Sequence, residues 1–396
     1  MIKKDYIIKN GVIISPFKTI KDRNLVIEGG KITKLLNKDI NFINENNYEI
    51  IDLKNEHFIS PGLIDIHTHG GGGEDCIDGN LEIISKCKLN QGITGYLPTL
   101  IASPISMIFS AFDRINTFIK DKKNKNLPRI LGTHIEGIYL SHKYRGAQGL
   151  EFLRKPDPSE CKEIINNSHG LLKIMTLSPE LENCIDVIEV LSSKGIVSSL
   201  GHSDAKPDDI AKAINKGATH ITHAFNAMGE MSHKEPGVRS SGFESYILIR
   251  DELKLEVIGE LTHVDPNIME MIFRCKGDEN IILVTDSLSV SGLPAGKYNI
   301  GVTKLNLADE NPYVARLEDG GLAGSTIPMI KAVQNFYENT SATLNQAIRM
   351  ASYNPLHSLG LTSKKGSIEI GKDADLITFN KDFAIRDVFI EGKKVL

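Results

Sequence analysis

Histidine and carboxylate side chains, the usual ligands of catalytic transition metals, recur in this sequence just after short apolar runs. In chain order these residues are His67, His69, Glu136, His202, His223, His263 and Asp286. Imidazole and carboxylate groups suit zinc, iron, manganese or cobalt acting as a Lewis acid. Such an ion lowers the pKa of a bound water and polarises a carbonyl oxygen. The residue types therefore predict metal-assisted hydrolysis of an amide or ester-like bond.

Several of these residues carry chemical indications of their own. His67 and His69 are two residues apart, so in a strand both imidazoles point to the same face. Glu136 ends an apolar run, and a buried carboxylate is costly unless it is paired or bound to a metal. Asp286 stands alone after the last run, which favours it as the acid/base group that carries the proton from water to the leaving group. Histidines placed elsewhere are predicted to be structural: His57, His169, His220 and His357.

The apolar runs alternate with helical patterns, and strands that alternate with helices imply a parallel sheet. The eight runs are Leu63–Ile66, Gly95–Leu100, Ile130–Ile135, Leu172–Leu177, Ile196–Leu200, Thr219–Thr222, Leu255–Leu261 and Ile281–Thr285. Eight strand–helix units predict an α/β fold, a (β/α)8 TIM-like barrel, whose carboxyl strand ends meet on one face. A doubly wound open sheet is the structural alternative, and the pattern by itself does not exclude it.

Both ends of the chain differ from the middle, because they contain short β-type runs separated by glycine turns. These runs are Tyr6–Lys9, Val12–Ile14, Leu25–Glu28, Lys31–Leu35, Ser367–Ile370, Asp375–Phe379 and Asp387–Ile390. Neither end can bury a core alone. We therefore predict a composite β-sandwich domain from residues 1–56 and 360–396, beside a hydrolase barrel domain over 57–359.

The composition excludes several classes of function. The 396 residues are 41% hydrophobic and carry a net charge of -4, whereas nucleic-acid binding would require a basic excess. Leu89–Phe112 is uncharged, but its prolines, glycines and amides predict a buried strand, a loop and a helix start instead of a membrane span. Charges interrupt the N-terminus too early for a signal peptide. Five cysteines without Cys-x-x-Cys spacing indicate a reducing cytoplasm.

Longer motifs surround the candidate residues. They are Thr133-His134-Ile135-Glu136-Gly137, Arg145-Gly146-Ala147-Gln148, Leu200-Gly201-His202-Ser203-Asp204-Ala205, Thr222-His223-Ala224-Phe225-Asn226-Ala227-Met228, Glu235-Pro236-Gly237, Val284-Thr285-Asp286 and Leu322-Ala323-Gly324-Ser325. With these motifs the chain resembles the amidohydrolase superfamily and, within it, the N-acetylglucosamine-6-phosphate deacetylase family. The resemblance spans nearly the whole chain, from Pro61 to Asp375.

The resemblance implies a role for each matching residue. Glu136, His202 and His223 would bind the main catalytic metal, with His67 and His69 available for a second ion. The residues implied for substrate binding are Ala147, Gln148, Asn226, Ala227, Lys234, His263, Leu322, Ala323 and Gly324. The implied substrate is N-acetylglucosamine 6-phosphate, an amino-sugar phosphate, and the implied cofactor is a divalent transition metal, one or two ions per subunit. Lys234 would reach the phosphate from the neighbouring subunit of a homodimer.

The sequence departs from the family pattern at three places. Lys234 stands where many members carry Arg. Lysine keeps the positive charge but cannot make the bidentate contact that arginine makes with a phosphate. The pair His67 and His69 is missing from some members, and Ile138-Tyr139 replaces a Pro-aromatic pair. Alternative functions are deacetylation of the galactosamine epimer or another N-acyl substrate, a cyclic amidase, and a non-catalytic scaffold. Glu136 argues against the cyclic amidase, which usually uses a carboxylated lysine, and the complete ligand set argues against the scaffold.

Overall fold

The computed structural model describes residues 5–38, 47–229, 232–235, 237–300, 303–318 and 320–396, apart from the side chains of 232–235, 299–300 and 303. Within these ranges a single curved sheet contains nine strands that pair in parallel. Eight of them form the barrel, and the two-residue strand Arg129–Ile130 pairs beside the second. The barrel strands are Leu63–Thr68, Ile93–Ile101, Thr133–Glu136, Leu172–Leu177, Val197–Leu200, Ala218–Ile221, Lys254–Ile258 and Ile281–Val284. Each overlaps the apolar run predicted for it.

The first and last of these strands meet, so the sheet closes into a barrel. The backbone N–H of Asp286 donates to the carbonyl of His67 at 2.9 Å, and Thr68 bridges Ser287 in parallel. A doubly wound sheet would leave these two strands at opposite edges, so the barrel prediction is confirmed and the open-sheet alternative is wrong.

Helices cover the outside of the barrel. They are Leu81–Asn90, Ile105–Lys120, Pro158–Asn167, Cys184–Ser193, Pro207–Asn215, Phe243–Leu248, Pro266–Lys276, Met329–Asn339, Leu344–Ala351 and Tyr353–Ser358. Their ends follow local signals: the Asp265 side chain caps the helix that Pro266 begins, and Gly277 ends it with φ +64°. None of the helices in the described ranges has the length and apolar character needed to cross a bilayer.

Short strands from both chain ends form two further sheets. One has the order Lys31–Asn37, Arg23–Glu28, Tyr6–Lys9, Glu49–Asp52. The other has the order Lys393–Lys394, Ile385–Ile390, Leu376–Asn380, His57–Pro61, Val12–Ser15, Lys18–Ile20. Buried side chains from the two sheets, including Ile8, Leu25 and Phe389, share one core cluster. The domain boundaries given above stay a prediction.

One predicted terminal strand is wrong. Ser367–Ile370 forms an irregular loop, because Gly366 and Gly371 turn the chain at φ +88° and +95°. Inside the loop the Ser367 hydroxyl donates to Glu369 Oε1 at 2.6 Å, so local side-chain bonds replace a strand ladder.

An antiparallel sheet that the alternating pattern does not predict follows the eighth barrel strand. It consists of Gly296–Ile300, Thr303–Ala308, Asn311–Leu317 and Leu322–Ser325. Its buried side chains Leu305, Leu307 and Ala315 pack with Val290 from the preceding loop. Because this loop begins at the carboxyl end of a barrel strand, the added sheet lies on the face where we expect the site.

Polar groups face the interior of the barrel and satisfy one another. The Thr176 hydroxyl lies 2.8 Å from His134 Nε2 and 2.7 Å from the Thr222 hydroxyl, which in turn lies 2.7 Å from that of Ser199. All four side chains are buried, so this chain of hydrogen bonds meets the requirement that buried polar groups be paired.

Candidate active site

Six of the predicted chemical groups meet at the carboxyl end of the barrel. His67 is the next-to-last residue of the first strand, His69 follows that strand, and Glu136 ends the third strand. His202, His223 and Asp286 come directly after the fifth, sixth and eighth strands. All of these histidines and Glu136 are at most 5% exposed. Residues that are far apart in the sequence therefore share one site because parallel strands end together.

Glu136, His202 and His223 form the tighter of two groups. Glu136 Oε1 lies 3.1 Å from His202 Nε2 and 3.0 Å from His223 Nε2, and the two ring nitrogens are 3.0 Å apart. A tetrahedral zinc with ligand bonds of about 2.0–2.1 Å separates its ligand atoms by about 3.3 Å. The donor types and their spacing therefore fit a divalent transition metal.

His67, His69 and Asp286 form a second group beside the first. Asp286 Oδ1 is 3.4 Å from His67 Nε2 and 3.1 Å from His69 Nε2. Glu136 touches both groups, since Oε1 is 3.4 Å from His67 Nε2 and Oε2 is 3.3 Å from His69 Nε2. His67 Nε2 is buried without a hydrogen-bond partner among the described residues, which also fits a metal ligand. This arrangement can hold two ions with Glu136 between them.

The carboxylates of the site stay ionised although they are buried. Burial raises the pKa of Glu136, but the neighbouring charges of His67 and His202 bring that pKa well below its ordinary value. Burial likewise opposes ionisation of Asp286, and the charge of His67 with a hydrogen bond from His69 lowers its pKa to about 2. An ionised carboxylate is the form that binds a cation. Glu136 and Asp286 are therefore present in the form that can bind a cation.

Three of the site residues have a backbone conformation that L-residues seldom adopt. The φ angles are +49° at His202, +29° at His223 and +46° at Asp286. Left-handed conformations of non-glycine residues cost about 1–3 kcal/mol each and cluster at functional sites. Here each one turns the chain immediately after a strand, at a residue whose side chain enters the site.

Hydrogen bonds behind the site fix the orientation of its side chains. His202 Nδ1 is 2.8 Å from the carbonyl oxygen of Tyr144, which can only accept, so the Nε2 lone pair faces Glu136. The Gln148 amide donates to Glu136 Oε2 at 2.6 Å, and its oxygen accepts from the Ala102 N–H at 2.9 Å. Gln148 therefore holds the carboxylate that the two groups share.

A cavity of about 200 Å³ opens over the two groups. The residues around it are His69, Asp75, Ile101, Glu136, Ala147, Gln148, His202, His223, Asp286, Leu288, Ser289, Leu305 and Ala323. Ala147, Gln148 and Ala323 belong to the predicted substrate-binding set. Leu305 and Ala323 come from the added antiparallel sheet, so that sheet supplies part of the apolar wall.

The other predicted substrate residues are not among those that line this cavity, and they lie on loops and strands that follow barrel strands at the same end. Asn226 and Ala227 form the turn after the sixth strand, where the Asn226 N–H donates to the His223 carbonyl at 3.0 Å. His263 follows the seventh strand, with Nδ1 2.7 Å from Glu260 Oε1. Leu322 and Gly324 flank Ala323 in the last strand of the added sheet. The side chain of Lys234 lies outside the described residues.

Sequence reasoning missed two groups around the site. Glu256 is a charged residue inside the apolar run Leu255–Leu261 and was not predicted as a site residue. In the structure it is fully buried beside His67. Asp75 lines the cavity from a short strand pair that begins after His69. A carboxylate within a strand of apolar residues is the one signal that identifies Glu256 from the sequence.

The structure places His220 away from the site, as predicted. Its ring is buried between the hydroxyls of Thr219 and Ser358, at 2.9 and 2.7 Å. Burial lowers the pKa of His220 to about 3, so the ring is neutral. His142 is exposed in the loop after the third strand.

Comparison with known proteins gives matches over most of the chain. A model described as the amidohydrolase family matches residues 58–395. The N-acetylglucosamine-6-phosphate deacetylase of Bacillus subtilis (strain 168) is 32% identical over 380 residues, or 95% of this chain and 93% of that protein. The N-acetylgalactosamine-6-phosphate deacetylase of Escherichia coli O157:H7 is 31% identical over 343 residues, or 86% and 88%. The crystal structure of N-acetylglucosamine-6-phosphate deacetylase from Pasteurella multocida has a TM-score of 0.88 and 30% identity, covering 98% of this chain and 99% of that chain.

Proposed function

The chain belongs to the amidohydrolase family, and from that premise we propose that it hydrolyses N-acetylglucosamine 6-phosphate to glucosamine 6-phosphate and acetate. One observation carries the proposal. The two ligand groups, one with His67 and His69 and one with His202 and His223, lie on either side of the Glu136 carboxylate. Both border a cavity large enough for a small molecule. The relative from Bacillus subtilis is named for this reaction and matches 95% of the chain.

In this proposal Glu136, His202 and His223 would hold one divalent transition metal, of zinc, iron, manganese or cobalt type. His67, His69 and Asp286 would hold a second, and the Glu136 carboxylate lies close to both groups. When bound, such an ion supplies Lewis acidity toward the attacking water and the amide carbonyl. The ring nitrogens that face the ion must be deprotonated to bind it. Burial favours the neutral rings and excludes bulk water, whereas the carboxylates of Asp286 and Glu136 raise the pKa of His69 to about 10, so a metal would have to displace that proton.

Asp286 is the proposed proton carrier of the reaction. Its carboxylate is ionised, it faces the cavity, and Oδ1 is held 3.1 Å from His69 Nε2. An ionised carboxylate can accept the proton of water at Oδ2 and give it to the amine nitrogen when the amide C–N bond breaks. Gln148 contributes by keeping Glu136 in place beneath the cavity.

Recognition of the sugar phosphate is assigned to groups at the rim of the cavity. Asn226, Ala227 and His263 would contact the sugar phosphate, and Lys234 would supply a cation from the second subunit of a homodimer. A glutamate–histidine hydrogen bond raises the pKa of His263, against the lowering effect of its burial, which favours a charged ring toward an anion. Leu322, Ala323 and Gly324 would line the sugar pocket.

We also propose a cytoplasmic location. The five cysteines all lie in the described residues and none is paired. Unpaired cysteines are typical of a reducing compartment.

A second candidate substrate is the galactosamine epimer. The Escherichia coli relative is named as a deacetylase of N-acetylgalactosamine 6-phosphate and covers 86% of the chain. Comparing kcat/KM for the two epimers under the same conditions separates the candidates, because they differ only in the orientation of one hydroxyl group.

The test is acetate release by purified protein loaded with zinc, iron, manganese or cobalt in turn. We expect turnover of N-acetylglucosamine 6-phosphate with at least one of these metals, none after chelation, and much lower kcat/KM for unphosphorylated N-acetylglucosamine. Metal-loaded protein that releases no acetate from either phosphorylated epimer would exclude the proposed reaction.

A further inference from the structure

Glu256 is a fully buried carboxylate directly beneath the histidines of the site. It lies in the seventh barrel strand, Lys254–Ile258, with no exposed surface. Oε2 is 2.8 Å from Nδ1 of His67, a residue 189 positions away in the chain. Oε1 has no hydrogen-bond partner in the described part of the chain. Burying a carboxylate is expensive, so its retention inside the barrel requires an explanation.

The contact with Glu256 determines which ring nitrogen of His67 enters the site. Because the carboxylate can only accept, Nδ1 carries the proton that it donates. Nε2 then lies on the opposite side of the ring, 3.4 Å from both Glu136 Oε1 and Asp286 Oδ1. Nε2 belongs to the second ligand group. The hydrogen bond at Nδ1 therefore determines that the other nitrogen of the same ring, Nε2, has the free lone pair that a metal would need.

The same residue is tied to the first ligand group through the backbone. The N–H of His223 is 3.4 Å from Glu256 Oε2, and the Ala224 N–H donates to the Glu256 carbonyl at 2.8 Å. One residue therefore contacts the first strand through His67 and the turn after the sixth strand through His223. A leucine of similar volume would fill the space without making the polar contacts, so packing does not account for the carboxylate.

We propose that Glu256 is a positioning residue that fixes the ring of His67 with Nε2 presented to the ion shared by His67, His69 and Asp286, and thereby sets the affinity of the protein for that ion. The inference rests on the proposed metal-dependent function. Glu256 does not border the cavity, so it acts through His67 and does not touch the substrate. Partners of this kind behind metal-bound histidines contribute about 10–100-fold to metal affinity.

The test compares wild-type protein with Glu256→Gln, which has nearly the same shape and no charge, and with Glu256→Leu. Asp387→Asn is the matched control, because Asp387 is a buried carboxylate that hydrogen-bonds to Thr378 in the terminal sheet. Each protein is stripped, titrated with zinc against a chelator, and analysed for zinc per chain. The thermal unfolding of the metal-free form is measured in parallel.

We expect wild-type protein and Asp387→Asn to bind two zinc ions, and Glu256→Gln to bind one of them about 10–100-fold more weakly and the other normally. The unfolding temperature of metal-free Glu256→Gln should not fall, whereas a purely structural role would lower it and leave the zinc affinities unchanged. In zinc-loaded wild-type protein, the nitrogen NMR signals of His67 should show a protonated Nδ1.

Two results would overturn the inference: Glu256→Gln with both wild-type affinities, or wild-type protein that binds fewer than two zinc ions. If Glu256→Leu fails to fold, Glu256→Gln alone decides. Wild-type protein that binds two ions but releases no acetate would contradict the proposed function and leave the role of Glu256 standing, so the two failures can be told apart.

Discussion

Replacing Asp286 with asparagine removes the proposed proton carrier and the charge that the second ligand group offers to an ion, while the shape of the side chain is kept. The two side chains have almost the same volume, and the asparagine oxygen can still face His69, 3.1 Å from the present Oδ1. The carboxamide cannot accept a proton under ordinary conditions. We therefore expect Asp286→Asn to keep the ion of the Glu136, His202 and His223 group and to lose most of its turnover.

The size of the loss follows from what acid/base groups contribute. A positioned acid/base residue accelerates a reaction by about 10²–10⁴-fold, or about 2.7–5.4 kcal/mol at 1.36 kcal/mol per factor of ten. The structure places this loss on kcat, because Asp286 lies below the rim where the sugar phosphate is proposed to bind. KM for N-acetylglucosamine 6-phosphate should change by only a few-fold.

The assay is acetate release under saturating substrate, with metal content measured on the same samples. Ser289→Ala is the control, since Ser289 lines the cavity without belonging to either ligand group, and it should retain activity within a few-fold. A kcat for Asp286→Asn within ten-fold of wild type would refute the proton-carrier role. A loss of metal that matches the loss of activity would assign Asp286 to ion binding alone.

Three further outcomes are expected. Lys234→Ala should raise KM for the phosphorylated substrate and leave kinetics with unphosphorylated N-acetylglucosamine unchanged; equal KM values for the phosphosugar in variant and wild type would contradict the phosphate role. Gln148→Ala frees Glu136 Oε2, so kcat should fall about ten-fold or more with the fold intact by circular dichroism, as expected for a lost hydrogen bond to a charged group. The pKa of His220 falls from 6.5 in the unfolded chain to about 3 in the folded protein. Its contribution to the free energy of unfolding is therefore complete above pH 6.5 and declines as the pH falls below that value. Urea unfolding at pH 7 and pH 5 should show a decline of about 2 kcal/mol that His220→Gln lacks, and an equal decline in both proteins would argue against it.

The barrel could be predicted because its signals are local. Each strand is a short apolar run, and helices such as Pro266–Lys276 begin and end at residues with the expected capping chemistry. The added sheet after the eighth strand was not predicted, because an insertion does not follow the strand–helix alternation. Ser367–Ile370 was wrongly predicted as a strand, because two glycines and a serine–glutamate bond outweighed its β-type composition.

The candidate ligands could be predicted for a related reason. His67, Glu136, His202 and Asp286 each stand where a run ends, and in parallel strands that position alone places a residue on a known face. The supporting hydrogen bonds could not be predicted in this way. The bond between Gln148 and Glu136 depends on how a loop folds back over the third strand.

By itself the sequence determined the residue types of the site, the strand after which each of them stands, and the alternation that requires a parallel sheet. Only the tertiary structure decided that the sheet closes, that Glu136 lies between two ligand groups, and that Glu256 meets His67 across 189 positions. The physical reason is range. Apolar spacing and helix capping involve residues a few positions apart, so they can be recognised in the sequence. The pairing of two buried polar groups depends on how distant strands align when the barrel closes.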